Sequence, residues 1–563
     1  MFKELIAQLL EKELGFKPEL EKIEVPPEEL GDFAFPCFSL VKQFGQSPEA
    51  VAIHIAQKLE KSEFIEKVEA KGGYVNFFIS SKAAELVLPK ILKLKQNFGA
   101  SKEKLGKTIV IDYSSPNIAK PFGIGHLRST VIGNALKQLY RNFGYNVIGI
   151  NHLGDWGTQF GALIYAHRHF GSKEKLAKKP LKYLLDIYVK FHDEAERNPE
   201  LETKARETFL ALENKDPDCL QLWAKFCHLS LDALKKIYHT FGVEFESYAG
   251  ESFYVDKIEP VLEELEKKKL LKESQGALIV EFEGMPPCIL KKADEASTYA
   301  LRDLAALKYR IATYSPEKIL YVVGSEQALH FKQIFAVAKL AGWPEIAKHV
   351  AFGLYLAPSG GKMATRKGTA VLLEEIYREA FRKAKKIIKE RNPELKAVNK
   401  TAKAVATAAI IFGDLVNDRI KDIVFDLEKI LAFEGDTGPF LQYTHARANS
   451  ILLKAKGLKI KPARKIRGEF FSSPIEKKLI ILLAQFQEKI REAAFSNKPH
   501  VLAQYLLELA RCFGTFYHAS PIIKGEAKKE IKAAEQKLAL VACFRQVLAN
   551  GLKLLGIKSL KEM

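Results

Sequence analysis

The sequence predicts an α/β protein: a parallel-sheet domain carrying a helical insertion, an α+β domain ahead of it and an all-α helical bundle behind it. Three observations lead there. Residues 108–113 (TIVIDY) and 145–150 (YNVIGI) are strand-like runs, and between them Ile132, Ala135, Leu136, Leu139, Tyr140 and Phe143 recur at helical spacing, the pattern of a strand–helix–strand crossover. From about residue 170 to 275 such runs give way to charged, helix-forming sequence, including LKYLLDIYVKFHDEAERNPELETKARETFL. After about residue 390 the apolar spacing is helical to the end, as a helical bundle requires.

In chain order, residues 1–98 mix amphipathic helical patterns with short strand-like runs such as GYVNFF (73–78), and a lysine-rich stretch ending at Gly106 follows them. They read as an appended domain. Residues 99–390 are the catalytic candidate. Its first strand, 108–113, precedes a helix beginning near Gly125; Gly144 stops that helix in the left-handed conformation glycine adopts without strain, and 145–150 supplies the next strand. A further strand-like run is expected at 350–356. The hinge-like KERNPELK segment leads into the bundle, 391–563. A chain of 563 residues exceeds the roughly 250–300 at which one core stops growing, so at least three domains are expected.

Hydrophobic residues make up 47% and charged residues 28% of the chain, an ordinary globular balance that excludes general disorder. No stretch reaches the roughly 18 uninterrupted apolar residues of a membrane span, and the N-terminal MFKELIAQLLEKELGF carries acids throughout, unlike a signal or transit peptide. A cytoplasmic protein without membrane contact is expected. The net charge of +19 fits either solubility or a polyanionic partner, because phosphates bind basic side chains by releasing counterions. Cys37, Cys219, Cys227, Cys288, Cys512 and Cys543 are scattered, with no C-x-x-C pair and no Cys/His grouping at zinc spacing, so reduced thiols, mostly buried, and no protein-bound zinc are expected.

The turn entering the first crossover helix is Phe122-Gly123-Ile124-Gly125-His126. A glycine-bearing turn at a helix N-terminus exposes backbone N–H groups and the positive end of the helix dipole, which favours a phosphate. An isolated G-x-G is better read as a plain tight turn without a ligand, and His126 either donates to a phosphate or ribose oxygen or simply satisfies the helix start. A dinucleotide fingerprint is excluded because Arg128 stands where a small residue is needed, and no G-x-x-x-x-G-K-[ST] occurs.

The stretch DYSSPNIAKPFGIGHLRSTVIGNAL, residues 112–136, resembles the arginyl members of the class I aminoacyl-tRNA synthetases, with GIGH in the place of their HIGH signature. The resemblance continues, in the family's order, through NHLGDWGTQFG (151–161), STYALRDLAALKYR (297–310), GSEQALHFKQIF (324–335), KMATRKG (362–368) and FEGDTGPFLQYTHARANSIL (433–452), with a weaker echo at GDFAFPCFSL. It implies a Rossmann-type catalytic domain, an N-terminal domain touching the tRNA corner and a C-terminal domain binding the anticodon stem and loop. The implied reaction is ATP-dependent activation of L-arginine to arginyl-adenylate, then transfer to the 3′-terminal adenosine of arginine tRNA. Neither step needs a protein nucleophile, so positioning and charge stabilisation at the phosphates should carry catalysis. Mg2+ is expected with ATP. The family further implies a monomer that binds tRNA before it activates its amino acid.

Carried over residue by residue, the resemblance places Gly123, Gly125 and His126 at ATP, with Lys120 assisting at the phosphates. Lys362, Arg366 and Lys367, with Met363, lie on a Gly-rich loop (APSGGKMATRKGTA) whose charges can swing over the pyrophosphate, and this loop resembles the KMSKS motif. Asp112, Tyr299 and Asp303 fall where the family contacts the guanidinium, whose planar fork of donors calls for carboxylates and hydroxyls. Tyr299 and Asp303 are four apart in helical sequence and share a face; the plainer alternative for Asp303 is an ion pair with Arg302 or a neighbour. Asn117, Gln327 and Ser115 fall at the substrate's α-amino and carboxylate end. His152, Asp155 and Gln159 either complete the pocket wall or serve as scaffolding. Lys454, Lys456, Lys459, Lys461, Arg464, Lys465 and Arg467 are free of intervening acids and either track tRNA phosphates or are merely solvated. Phe513, Phe516 and Tyr517 either stack on bases or, at helical spacing, pack in the core.

Two positions depart from the family's motifs: Gly123 replaces the first histidine of HIGH, and Ala364 replaces the serine of the KMSKS-like loop. Each removes a hydrogen-bonding side chain from the phosphates, which predicts a lower chemical rate. Two rival readings remain, a nucleotidyltransferase that works without tRNA and an RNA-binding relative with a decayed site. The pocket residues Asp112, Tyr299 and Asp303 and the loop cations Lys362 and Arg366 argue against decay.

Overall fold

The fold comes from a computed structural model that describes residues 1–59, 62–118, 122–178, 180–293, 296–357, 361, 372–522 and 528–563. At the N-terminus, α1 (Phe2–Leu14) buries Phe2, Ile6, Ala7 and Leu10, the face its apolar spacing dictates. Strand β1 (Phe33–Pro36), helix α2 (Pro48–Lys58, N-capped by Ser47), and strands β2 (Ile65–Lys71) and β3 (Tyr74–Ile79) follow. The strands form an antiparallel sheet in the order β1-β3-β2, with α2 packed on it. Helix α3 (Ala83–Leu94) then lies against the C-terminal helices.

The central sheet is parallel, as the crossover pattern predicts. Strand β4 (Thr108–Asp112) leads through α4 (Ile124–Asn142) to β5 (Asn146–Ile150). Gly144 stands at φ 91°, the left-handed turn expected of it. Gly133 on α4 serves a different need: a Cβ there would run into the ring of Tyr113, so glycine is what lets the helix sit down on the end of β4.

Past β5 the chain enters the helical insertion: α5 (Thr158–Phe170), α6 (Pro180–Ala195), α7 (Glu200–Glu213) and the 25-residue α8 (Pro217–Phe241). The strands that come next, β6 (Lys272–Ser274), β7 (Ala277–Phe282) and β8 (Met285–Lys291), pair antiparallel in a small sheet of their own. Helix α9 (Tyr299–Tyr314) returns the chain to the central sheet at β9 (Lys318–Tyr321), and α10 (Ala328–Leu340) leads to β10 (Ala347–His349).

The order of the parallel sheet is β10-β9-β4-β5. The chain therefore leaves β4 on one side toward β5 and comes back on the other side at β9, with Asp112 paired to Tyr321 in the register. Beyond the carboxyl ends of β4 and β9 lies the topological switch point at which open α/β sheets bind ligands. Alternation along β4 builds the two faces: Ile109 and Ile111 pack under α4 in one apolar cluster, while Val110 joins Ile319, Leu301, Leu304 and Phe331 in a second cluster.

The run expected to be a strand at 350–356 is corrected. Strand β10 ends at His349, and only the short β11 (Tyr355–Leu356) lies within that run. β11 does not join the central sheet; it forms a two-stranded parallel sheet with β12 (Ile423–Val424), which follows α11 (Leu373–Arg391) and α12 (Val398–Leu415). The bundle is completed by α13 (Gly438–Gly457), α14 (Pro474–Phe495), α15 (Pro499–Ala519) and α16 (Lys528–Leu554). Among the described residues no helix is long and apolar enough to cross a membrane.

Candidate active site

A cavity of about 580 Å3 opens at the carboxyl ends of β4 and β9. Asp112, Ser115 and Asn117 come to it from the loop after β4, and Gly125 and His126 from the first turn of α4. Tyr299 and Asp303 come from α9, and Gln327 from the turn before α10. The structure thus gathers residues expected for phosphate, guanidinium and amino-acid backbone around one space. Lys120, Lys362, Met363, Ala364, Arg366 and Lys367 lie outside the described residues.

At the phosphate end, Gly123 is the N-cap of α4, and its N–H donates to His126 Nδ1 at 3.2 Å. This is the helix-start role set out as the plainer alternative for His126, yet it has a chemical consequence. With Nδ1 accepting, the proton of the neutral imidazole resides on Nε2, which makes that nitrogen a donor. Gly125 is exposed, and a Cβ there would meet nothing within 4 Å, so its backbone stands open for close approach. The far side of the Gly-rich loop is stitched to this turn: Leu372 bridges Gly123, and Leu373 N–H donates to the Phe122 carbonyl at 3.1 Å.

Arg128, one turn into α4, is 1% exposed and forms an ion pair with the equally buried Asp414 of α12 at 3.1 Å. Its Nη atoms donate to the carbonyls of Leu354, Arg419 and Lys421, and Tyr355 donates to Asp414 at 2.6 Å. Burial pushes the Asp414 carboxyl up while Arg128 holds it down.

At the other end, Asp112 Oδ2 lies 2.8 Å from Nη1 of the buried Arg310, and Oδ1 accepts from Ser115 Oγ at 2.8 Å. Ser114 and Ser115 hold this geometry in left-handed backbone, at φ 74° and 45°, a conformation that costs non-glycine residues on the order of 1 kcal/mol or more and gathers at functional sites. The surroundings fix it: Ser114 N–H donates to Ser129 Oγ at 2.8 Å, and Ser115 N–H donates to Asn151 Oδ1 at 3.1 Å. Asn117 is locked against Gly154, where any Cβ would strike its side chain.

Asp303 does not pair with Arg302. Its Oδ2 is 2.6 Å from His330 Nε2, and its Oδ1 is 3.8 Å from His152 Nε2. Burial raises its carboxyl, but the hydrogen bond from His330 and the fields of His152, His330 and Arg310 more than offset this, leaving it below the usual carboxylate value. Burial, and next to it Arg310, lowers His152, which favours its neutral form. Arg302 is instead held by Glu251 at 3.1 Å. Of the three residues of the 151–161 block left between wall and scaffold, only His152 lines the cavity. Asp155 accepts from Ser252 and, at its carbonyl, from Trp223, and Gln159 donates to the Gly154 carbonyl.

Sequence reasoning missed Glu251, Arg302, His330 and Arg310 as members of the site. Three of them stand inside the blocks that carried the resemblance, one to seven residues from assigned positions. Glu251 carried no signal, since it lies at the edge of the insertion and meets its partner only in the fold.

On the helical domain, Lys454, Lys456, Lys459, Lys461, Arg464, Lys465 and Arg467 are all exposed, while Ala455 and Ile466 turn inward. Among the described residues the only ion pair of these cations is Arg467 with Glu469, at 3.7 Å. Phe513 and Phe516 are fully buried, Phe513 stacked 3.8 Å from Phe544, so they are core residues. Tyr517 is exposed, with the Arg447 guanidinium 5.4 Å from its ring.

The parallel sheet with a phosphate-type turn at its switch point and a helical domain behind it is the architecture of a class I aminoacyl-tRNA synthetase, the class to which the match of the class I (R) tRNA synthetase catalytic domain model over residues 87–427 assigns the chain. The arginyl tRNA synthetase N terminal domain model matches 1–79, and the DALR anticodon binding domain model matches 441–563. The arginine–tRNA ligase of Alkaliphilus metalliredigens is 44% identical over 571 residues, and that of Exiguobacterium sibiricum 45% over 575, with all of both chains covered in each case. The chain belongs to the arginyl-tRNA synthetase family. Among solved structures, the Thermus thermophilus arginyl-tRNA synthetase superposes with a TM-score of 0.83 at 28% identity, covering 100% of this chain and 99% of that one. That of Plasmodium falciparum shares the fold, with a TM-score of 0.82 at 24% identity and the same coverage.

Proposed function

We propose that the cavity at the ends of β4 and β9 joins L-arginine to ATP and then passes the arginyl group to arginine tRNA. The observation that carries this reading is the placement, around one space, of a helix N-terminus open to a phosphate at Gly125 and a half-buried carboxylate, Asp303, whose contacting partners are imidazoles rather than resident guanidinium groups.

In the first step an arginine carboxylate oxygen attacks the α-phosphorus of ATP, the bond to the bridging oxygen breaks, and pyrophosphate leaves. In the second, a ribose hydroxyl of the terminal adenosine attacks the carbonyl of the mixed anhydride, and AMP leaves with the bonding pair. The chain's work is to hold and orient. Asp303 and Tyr299 take the guanidinium, with Asp112 completing the acid wall beside them. Asn117, Gln327 and Ser115 take the amino-acid end. The first turn of α4, with the N–H of Gly125, the backbone of Gly123 at close approach and His126 Nε2, faces the phosphates. Lys120, Lys362, Arg366 and Lys367 bring positive charge to the pyrophosphate, and Met363 contacts the nucleotide. ATP enters as its magnesium complex, so the metal arrives with the substrate.

Residues 1–98, 99–390 and 391–563 are the proposed appended, catalytic and anticodon-binding domains, and Lys454 to Arg467 follow the tRNA phosphates. The protein acts in the cytoplasm as a monomer and binds tRNA before it activates arginine. Arginine-dependent pyrophosphate exchange, with and without arginine tRNA and with lysine and citrulline as controls, tests the reading. Exchange that appears only with arginine and tRNA together supports it. No exchange in either condition, with tRNA binding intact, refutes it in favour of an RNA-binding relative.

A further inference from the structure

A pocket that selects a guanidinium must also exclude the guanidinium groups built into its own walls. Two stand there. Arg310, 1% exposed, is held by Asp112 at 2.8 Å and sandwiched near the rings of Tyr254 and Tyr321. Arg302 lies on the cavity wall, immediately before Asp303 in the chain. Its Nε is 3.1 Å from Glu251 Oε2, its Nη1 donates to the carbonyl and hydroxyl of Ser297, and its guanidinium rests 4.7 Å from the ring centre of Tyr299.

Two acids of the site are therefore matched by resident guanidinium groups, Asp112 by Arg310 and Glu251 by Arg302. Asp303 is left facing His330 and a His152 whose charged form burial disfavours. Of Asp112, Glu251 and Asp303, only Asp303 has no guanidinium partner, which leaves it to an incoming cation. A buried ion pair is a weak stabiliser, often matched by two apolar side chains, so stability gives little reason to keep Glu251 and Arg302 in this wall.

We propose that Glu251 is a positioning residue that sets affinity for the amino acid: by clamping Arg302 it keeps this resident guanidinium off Asp303, and so leaves that carboxylate to the substrate. The inference rests on Asp303 being the substrate's anchor. Arg302 and Asp303 line the same cavity, so an unclamped Arg302 has open space in which to reach its neighbour. Burial pushes the Glu251 carboxyl up to about 7, with Arg302 opposing and Asp303 adding to the rise, so the two carboxylates feel one another across the pocket.

The test is pyrophosphate exchange with arginine tRNA on the full chain and on Asp303→Asn, Glu251→Gln and the double variant Glu251→Gln/Arg302→Met. Methionine keeps the packing on Tyr299 without the charge. The expected result for Glu251→Gln is an arginine KM raised about tenfold with the ATP KM within about twofold, and a double variant restored to within about threefold of the parent. An arginine KM that Glu251→Gln leaves within about twofold, or a double variant as weak as the single one, overturns the proposal. Should Glu251→Gln not fold, the double variant decides: an arginine KM within about threefold of the parent supports the clamp, and one about tenfold higher overturns it. Asp303→Asn separates the two readings. If it weakens arginine and Glu251→Gln does not, only the clamp fails; if it leaves arginine affinity intact, the anchor fails and the clamp with it.

Discussion

Replacing Arg128 by methionine strips Asp414 of its cation in the seam between the phosphate helix and the helical domain. The two side chains are each 1% exposed and 3.1 Å apart. Methionine fills most of the vacated volume, so little of the cost comes from a cavity; what disappears is the charge partner and the donors to the carbonyls of Leu354, Arg419 and Lys421. Breaking a buried ion pair by removing one partner costs about 3–5 kcal/mol. The pH dependence has a definite sign. Burial already raises the Asp414 carboxyl, and Arg128 lowers it; without Arg128 its folded value climbs further above the unfolded one, so the added penalty is largest at neutral and higher pH and shrinks as pH falls. Urea denaturation of parent and variant at about pH 7.5 and about pH 5.5 reads this as a gap between midpoints that narrows at the lower pH. Adding Asp414→Leu should recover most of the loss, because an apolar pair leaves no uncompensated charge. A loss under about 1 kcal/mol, or one indifferent both to pH and to the second substitution, would refute the reasoning.

Asp303→Asn should raise the arginine KM by about 30-fold or more, the cost of a charge-assisted pair, while the ATP KM stays within about twofold; steady-state exchange kinetics measure both. Because burial pushes the Glu251 carboxyl, which faces Arg302, Asp303 and Asp155, up to about 7, its ionised form should tighten the clamp, so the arginine KM should fall as pH rises through 7 and the fall should vanish in Glu251→Gln. Gly123→His restores a side-chain donor at the phosphate turn and should raise single-turnover adenylate formation by about threefold or more; an unchanged rate counts against a lowered rate in the parent. Converting Lys454, Lys456 and Lys459 to glutamine should weaken tRNA binding and reduce its log–log salt slope by about 2–3, measured by filter binding over a salt series, whereas a slope unaltered by the change removes these lysines from the phosphate path.

Much of the site was legible because short-range chemistry wrote it. β4, α4 and β5 followed from local periodicity, and Asp112, Ser115, Asn117, Gly125, Tyr299, Asp303 and Gln327 stand in blocks whose order along the chain carried the family resemblance. What the sequence withheld are the pairings. Asp303 has Arg302 beside it in the chain, but Glu251 takes that guanidinium, and the partner of Asp303 is His330 on the next helix, 27 residues on. Arg302 turns to Glu251, 51 residues back. The run 350–356 has strand composition, yet it makes only the two-residue β11, because its partner arrives from 423–424, beyond two helices. Phe513 and Phe516 show the reverse case: aromatic residues that looked available for stacking are taken up by the bundle core, with only Tyr517 left outside.

The β11–β12 pair, with the carbonyls that Arg128 gathers, joins the approach to the Gly-rich loop to residues 419–424, which follow the first helix of the domain that meets tRNA in the proposed function. Two sites that share such a joint cannot be biased one way only. If an RNA seated on the helical domain improves arginine and ATP binding by some factor, then arginine and ATP must improve RNA binding by that same factor, since the two routes around the thermodynamic cycle have equal free energy. A dependence of amino-acid binding on tRNA would therefore also be a hold on tRNA, with the loaded active site gripping the nucleic acid more tightly by that factor.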